Sequence, residues 1–216
     1  MITSPHPVAV LTGDLIGSTD HPPEWTTQAL DRIKTCAHEI RAWDNADDPR
    51  FTRYRGDGWQ IVLSEPHRAL RAALFIQASL KSVQSGARSR IAIGMGEIDD
   101  LPVGDLSNAS GPAFIASGQA LDGMARDQEL VIAARESAYL HKGIAVLLER
   151  EVQDWSREQA EAMMHFLPPS TPTLKDLADA LGVSPQAIHS RLKSAHWREV
   201  VQAVTHWEAH EESRHD

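Results

Sequence analysis

Asp14 and Asp57 are the residues of this chain whose type and placement most invite chemistry. Asp14 ends an apolar, β-branched run, Pro7–Asp14, and Asp57 lies between two glycines in Gly56-Asp57-Gly58. If the runs carrying them are neighbouring strands, both carboxylates converge at one edge of a sheet. Such a pair suits one or two Mg²⁺ (or Mn²⁺) ions, which then clamp phosphate oxygens. After Asp14, the stretch Leu15-Ile16-Gly17-Ser18-Thr19 offers backbone N–H groups near a helix start, and these suit a phosphate. Gly17, Ser18 and Thr19 are therefore the expected phosphate contacts. Taken singly, Asp57 reads as a turn residue and Asp14 as a strand-end cap; the two together in this topology favour a nucleotide site.

The elements that must position them can be read along the chain. Pro7–Asp14 predicts a buried strand. Pro22-Pro23 opens a helix in which Trp25, Ala29, Ile33, Cys36, Ala37 and Ile40 recur at three- and four-residue spacing, one apolar stripe. The loop Asp44–Pro49 ends it. Strands follow at Phe51–Arg55 and Trp59–Leu63, joined by the hairpin Gly56-Asp57-Gly58. Pro66 starts a second helix, His67 to about Gln84, and Ser89–Ile98 is another buried strand. The order β-α-β-β-α-β predicts an α+β, ferredoxin-like sheet with its helices on one face. Beyond a loop, Asp99–Ser110, come a helix from Gly111-Pro112, a strand around Glu129–Ala133 and one long helix from about Ser137 to Phe166. Residues 1–166 are thus one domain, and Leu167–Pro172 (LPPSTP) reads as the linker to a second, small all-α domain at 167–216.

In that tail, Leu174, Leu177, Ala178 and Leu181 form one helical face, Gly182 makes a turn, and Ser184 caps a helix whose inner face is Ile188 and Leu192. Small residues at the crossing, a glycine in the turn and a β-branched residue beyond it are what a helix-turn-helix needs sterically. Its outward residues are Gln186, Ala187, His189, Ser190 and Lys193, and the candidates for contact with double-stranded DNA are Gln186, His189, Ser190, Arg191 and Lys193: glutamine pairs with adenine, and the cations with guanine or phosphate. A three-helix protein-interaction module is the alternative. One such motif covers few base pairs, so DNA binding implies a dimer.

Composition sets outer bounds. The chain has 216 residues with 21 Lys and Arg against 30 Asp and Glu, a net charge of −9, which argues at first against a polyanionic partner. The acid is unevenly spread: no Asp or Glu falls between Asp179 and Glu199, while Arg191, Lys193 and Arg198 all do. A single cysteine, Cys36, excludes an internal disulfide framework and falls on the inner stripe of its helix. No apolar run is long enough to span a bilayer, and the start MITSPHPVAV lacks the pattern of a secretory signal, so a soluble, cytoplasmic protein without membrane contact is expected. His206 and His210 stand four apart, a spacing that can ligate zinc, but Trp207 replaces the glutamate of the metalloprotease motif; with His215 they read as a solvated terminus.

Several short motifs in this order resemble those of class III nucleotide cyclases: DLIGST (Asp14–Thr19), RGDGWQIVL (Arg55–Leu63), RIAIGMGEI (Arg90–Ile98) and GPAFIASGQAL (Gly111–Leu121). With the tail, the chain is most similar to the SatD-like group, a cyclase-like core with a C-terminal helix-turn-helix. The resemblance implies that Asp14 and Asp57 hold metal, that the partner is a nucleoside triphosphate or other nucleotide, that Arg53 and Asn108 stand at the base-reading positions, and that the protein is a homodimer. It also exposes departures. The positions of the transition-state Asn and Arg of active cyclases hold Ile115 and Gln119, which removes the charge that meets the developing phosphorane. Arg126 or Arg55 would have to substitute. The expectation is a regulatory protein with a degenerate, Mg²⁺- and nucleotide-binding domain and a DNA-binding tail. The alternative is an active nucleotide cyclase or other nucleotidyl-transfer enzyme.

Overall fold

The computed structural model describes residues 7–43, 50–54, 56–83, 86–100, 102, 105–133 and 138–213. The expected loop at Asp44–Pro49, Arg55, Gln84, Ser137 and His215 lie outside them. Strands β1 (Val8–Leu15), β2 (Phe51–Tyr54), β3 (Gly58–Leu63), β4 (Ser89–Gly96) and β5 (Leu130–Ala133) form one sheet in the order β2-β3-β1-β4-β5. The first four pair antiparallel, and β5 adds parallel to β4. The chain order β1-α1-β2-β3-α2-β4, with α1 at Pro23–Trp43 and α2 at Ala69–Ser82, gives the ferredoxin-like arrangement the strand and helix periodicities imply.

Period-two alternation divides the sheet into two faces. Ala9, Leu11, Leu15, Trp59, Ile61, Leu63, Ile91 and Ile93 point into the main core, against Ala29, Leu30, Ile33, Cys36 and Ile40 of α1 and nearly the whole of α2. The helices of the β-α-β-β-α-β unit thus share one face, as expected, and the other face is covered too. Helix α3 (Pro112–Asp122) lies on it, with Ala113 and Phe114 against Val8, Val10 and Val62, and Leu121 against Ala92. Gly94 makes this possible. A Cβ there would stand 2.3 Å from the Ala113 carbonyl oxygen and 2.5 Å from the Ser117 nitrogen, so the helix backbone rests directly on the strand. Thr12 Oγ1 and Ser117 Oγ meet at 2.8 Å in this buried seam, and Gln60 Nε2 donates to Thr12 Oγ1 at 3.1 Å.

The single long helix expected from Ser137 to Phe166 is two, α4 (Ala138–Asp154) and α5 (Arg157–Phe166). Ser156 breaks it by a capping box: its hydroxyl accepts from Gln159 N–H, and the Gln159 side chain accepts from Ser156 N–H. The S-x-x-Q spacing that signals this is present in the sequence.

Helices α6 (Leu174–Leu181), α7 (Pro185–Ser194) and α8 (Trp197–Glu212) complete the chain. Gly182, at φ 65°, ends α6 in the left-handed conformation that its turn requires. The Ser184 hydroxyl then caps α7 by accepting from Ala187 N–H at 3.1 Å. Leu177, Ile188, Leu192, Val200, Val204 and Trp207 join the same apolar core as α2 and α5. Trp155 Nε1 donates to the Ala195 carbonyl at 3.1 Å. Arg71, almost fully buried on α2, grips Glu208 of α8 with Nε and one terminal nitrogen, both at 2.6 Å, and donates to the Leu167 carbonyl at 2.6 Å. Among the described residues, no helix is long and apolar enough to cross a membrane. Helix α4 leaves Tyr139, Leu140, Val146 and Leu147 exposed along one side.

Candidate functional site

Strand register places the two aspartates. Asp14 lies opposite Gly58 on β3 and opposite Arg90 on β4, so Asp57, one residue before Gly58, opens the hairpin beside it. The β1–β3 pairing thus brings Asp14 and Asp57 to the same end of adjacent strands, as the element order requires. Both are partly buried. Their hydrogen bonds differ. Arg90 holds Asp14 bidentately, Nε donating to Oδ1 at 2.8 Å and a terminal nitrogen to Oδ2. This bond, above all, pushes the Arg90 guanidinium above its ordinary pKa against the effect of burial, and the carboxylates of Asp14, Asp57 and Asp122 act in the same direction. Asp57 Oδ2 accepts from the Ser18 hydroxyl.

Ser18 reaches Asp57 because the chain after β1 turns through Gly17 into a single 3₁₀ turn, Ser18–Asp20. Thr19 follows on the same turn, and His21 stacks on Trp25 with ring centres 4.2 Å apart. These residues wall an open groove of about 410 Å³, lined by Ser18, Thr19, Thr26, Arg53, Gly56 and Asp57 among others. Arg53 is positioned by the hairpin, its Nε donating to the Gly56 carbonyl at 2.8 Å.

Asn108 is elsewhere. It ends a 3₁₀ turn, Leu106–Asn108, that packs beside β2 through Thr52: Leu106 N–H donates to Thr52 Oγ1 at 2.7 Å, and Thr52 donates to Asp105 at 3.1 Å. Asp105 also takes bonds from the Ser107 hydroxyl and backbone N–H, in that order of effect, and these hold its carboxyl below the usual range. Thr52 faces this turn, so Arg53, the next residue of β2, faces the opposite way. Arg53 lines the groove and Asn108 does not. Within one chain, β2 separates Arg53 from Asn108.

On α3, Ile115 and Gln119 are exposed and border a second groove, about 520 Å³, between α3, β5 and the start of α4. Lys142 of α4 lines it. Arg126 borders neither groove, and Arg55 is outside the described residues. Trp59 is core: its Nε1 donates to Ser89 Oγ at 3.0 Å in a fully buried setting. Cys36 is likewise buried, and desolvation, opposed by a hydrogen bond with Ser79, pushes its thiol up to about 11.

On α7, Gln186, His189, Ser190 and Lys193 are exposed on the outer side. Arg191 is not among them. It is partly buried and pairs with Glu161 of α5 at 3.0 Å. Two residues were missed from sequence: Arg90, which pairs with Asp14, and Lys142, which lines the same groove as Gln119. The signal for Arg90 was a cation at the start of an otherwise apolar strand. Lys142 carried none, because its groove is assembled from three separate elements.

No protein-family model and no curated protein matches the chain. Among solved structures, it resembles a crystal structure of the guanylyl cyclase Cya2 with a TM-score of 0.44 and 17% identity, over 61% of this chain and 77% of that one. At that level of similarity nothing about this chain's chemistry follows from the likeness.

Proposed function

We propose that this chain is a regulatory protein whose sheet domain binds a nucleotide with a divalent cation and whose C-terminal helices contact DNA. One observation carries the first half: the β1–β3 register brings Asp14 to the same sheet end as Asp57, and Asp57 lines a groove with Ser18, Thr19 and Arg53. The donor set fits Mg²⁺ or Mn²⁺, which is held by one or two carboxylates and keeps much of its water. Arg90 engages both Asp14 oxygens, but each carboxylate oxygen has a second lone pair, and Arg90 offsets one of the two negative charges. Asp14 and Asp57 would hold the ion, which would neutralise phosphate charge. Ser18 and Thr19 would meet phosphate oxygens, and Arg53 would contact the rest of the nucleotide. Asn108 takes part only if a partner chain's groove lies against it, which the homodimer would provide.

Thermal shift against each nucleoside triphosphate with Mg²⁺ or Mn²⁺ tests this. A ligand at 100 times its Kd adds about 2.7 kcal/mol to stability. Stabilisation that needs both metal and nucleotide, and is lost in Asp57→Asn, is the expected result. No stabilisation by any nucleotide refutes it.

The DNA half rests on the exposed row Gln186, His189, Ser190 and Lys193 in the acid-free stretch of the tail. Binding to a promoter fragment should weaken with salt and on Lys193→Ala. The dimer is supported by the exposed apolar row on α4, Tyr139, Leu140, Val146 and Leu147, which a second copy would cover. Turnover is the second reading, and the observation in its favour is that Lys142 lines the same groove as Gln119, which puts a cation in the groove bordered by the position the resemblance leaves without one. Release of pyrophosphate or a cyclic product, lost in Lys142→Met, would establish it in place of passive binding.

A further inference from the structure

Helices α4 and α8 meet around His141. Its imidazole is 3% exposed, packed near Trp207 (ring centres 6.1 Å apart) and edge-on to His210 (6.2 Å). Its Nε2 stands 3.0 Å from Glu211 Oε1, and that oxygen is 4.0 Å from His210 Nε2. One donor atom from each of the three residues lies within 4.8 Å of the other two. Glu211 is as buried as His141, with 4% of its side chain exposed, whereas His210 is half exposed to solvent.

A buried imidazole whose nitrogens go unbonded is costly unless a ligand satisfies them. An imidazolium paired to a carboxylate directs its N–H along the contact. Here neither ring nitrogen of His141 makes a hydrogen bond among the described residues, although Nε2 is at contact distance from the carboxylate. Donors that crowd at 3.0 to 4.0 Å without bonding one another are spaced as ligands are. Around a tetrahedral zinc ion with bonds of about 2.0–2.1 Å, donor atoms stand roughly 3.3–3.4 Å apart.

We propose that His141, Glu211 and His210 bind a zinc-class transition-metal dication, with water completing the coordination on the open His210 side. The His206–His210 spacing is not the site: His206 lies 3.5 Å from Gln202 and outside the cluster. The ion would join α8 to α4 and so fasten the C-terminal helices to the sheet domain, independently of any nucleotide.

The test uses the full, tag-free chain stripped with a chelator, because the sequence holds 11 histidines and a polyhistidine tag would mask the site. Titration with Co²⁺ should give one equivalent with the visible absorption of a four-coordinate ion, displaced by Zn²⁺. His210→Ala, at a half-exposed position that tolerates truncation, should weaken binding at least about tenfold. Glu211→Gln should do the same, and Zn²⁺ should slow amide exchange in α8 of the wild-type chain alone. Unchanged stoichiometry and affinity in both variants would place the metal on other histidines and overturn the proposal. So would the absence of a four-coordinate Co²⁺ spectrum from the wild-type chain.

Discussion

Replacing Glu208 by alanine should be among the most damaging single changes in this protein. Glu208 is 5% exposed, and Arg71, also 5% exposed, gives it two hydrogen bonds of 2.6 Å. Arg68 adds a third at 3.0 Å. Arg68 is the more open of the two arginines and can recover water, but Arg71 cannot. After the substitution it keeps its bond to the Leu167 carbonyl and a longer one, 3.4 Å, to Thr205, while its charge stays buried without a counter-ion. Breaking a buried pair from one side costs about 3–5 kcal/mol. For a chain of this size each kcal/mol moves Tm by about 2–4 °C, so a fall of roughly 6–20 °C is expected. Urea denaturation followed by circular dichroism would give the free energy, and hydrogen exchange would show the loosening concentrated where α8 meets α2. The sharper test is the double variant Arg71→Met/Glu208→Leu. If the damage comes from a stranded charge and not from lost contacts, removing both partners should restore much of the stability. A Glu208→Ala variant within about 0.5 kcal/mol of wild type would refute the reasoning. So would a double variant as unstable as the two single losses added together.

Other consequences are simpler to check. Gly94→Ala forces a methyl group to within 2.3 Å of the Ala113 carbonyl oxygen, and overpacking of this kind costs about 1–3 kcal/mol, readable as a lower urea midpoint. Cys36, with its thiol near 11 and its sulfur buried, should resist a thiol reagent at pH 8 in the native chain and react at once in denaturant. His196, bonded to Glu151 at 2.9 Å, titrates above its ordinary value, first through that hydrogen bond and then through the same carboxylate's charge. Its contribution to stability is therefore present below the unfolded-state pKa and lost as pH rises through the folded one. His165 is shifted the other way by burial, so its contribution is lost as pH falls through its lowered pKa. NMR titration should place the two midpoints on opposite sides of about 6.5, with Glu151→Gln lowering only that of His196.

Much of the sheet domain was legible in the chain because its determinants are local. The apolar stripe of α1, the Gly-Asp-Gly hairpin and the period-two strands each depend on residues a few positions apart, and the order of these elements leaves few topologies. Asp14 and Asp57 could be placed together because in a β-α-β-β order β3 runs antiparallel beside β1, so the end of β1 meets the start of β3. The Ser156 capping box was equally local; the apolar pattern that runs through it into α5 obscured it.

What the sequence by itself determined, then, are features set by neighbours along the chain: the strands, the helices and their caps, the shared end of the two aspartates and the turn between α6 and α7. The tertiary structure alone decided what each charge meets. Arg90 faces Asp14, Arg191 turns to Glu161, Arg71 finds Glu208, and His141 comes beside His210 and Glu211, all between residues far apart in sequence. Hydrophobic periodicity says which face of an element is buried, but not which element will cover it. A long polar side chain at the edge of that face takes its partner, and with it its role, from whichever element arrives there.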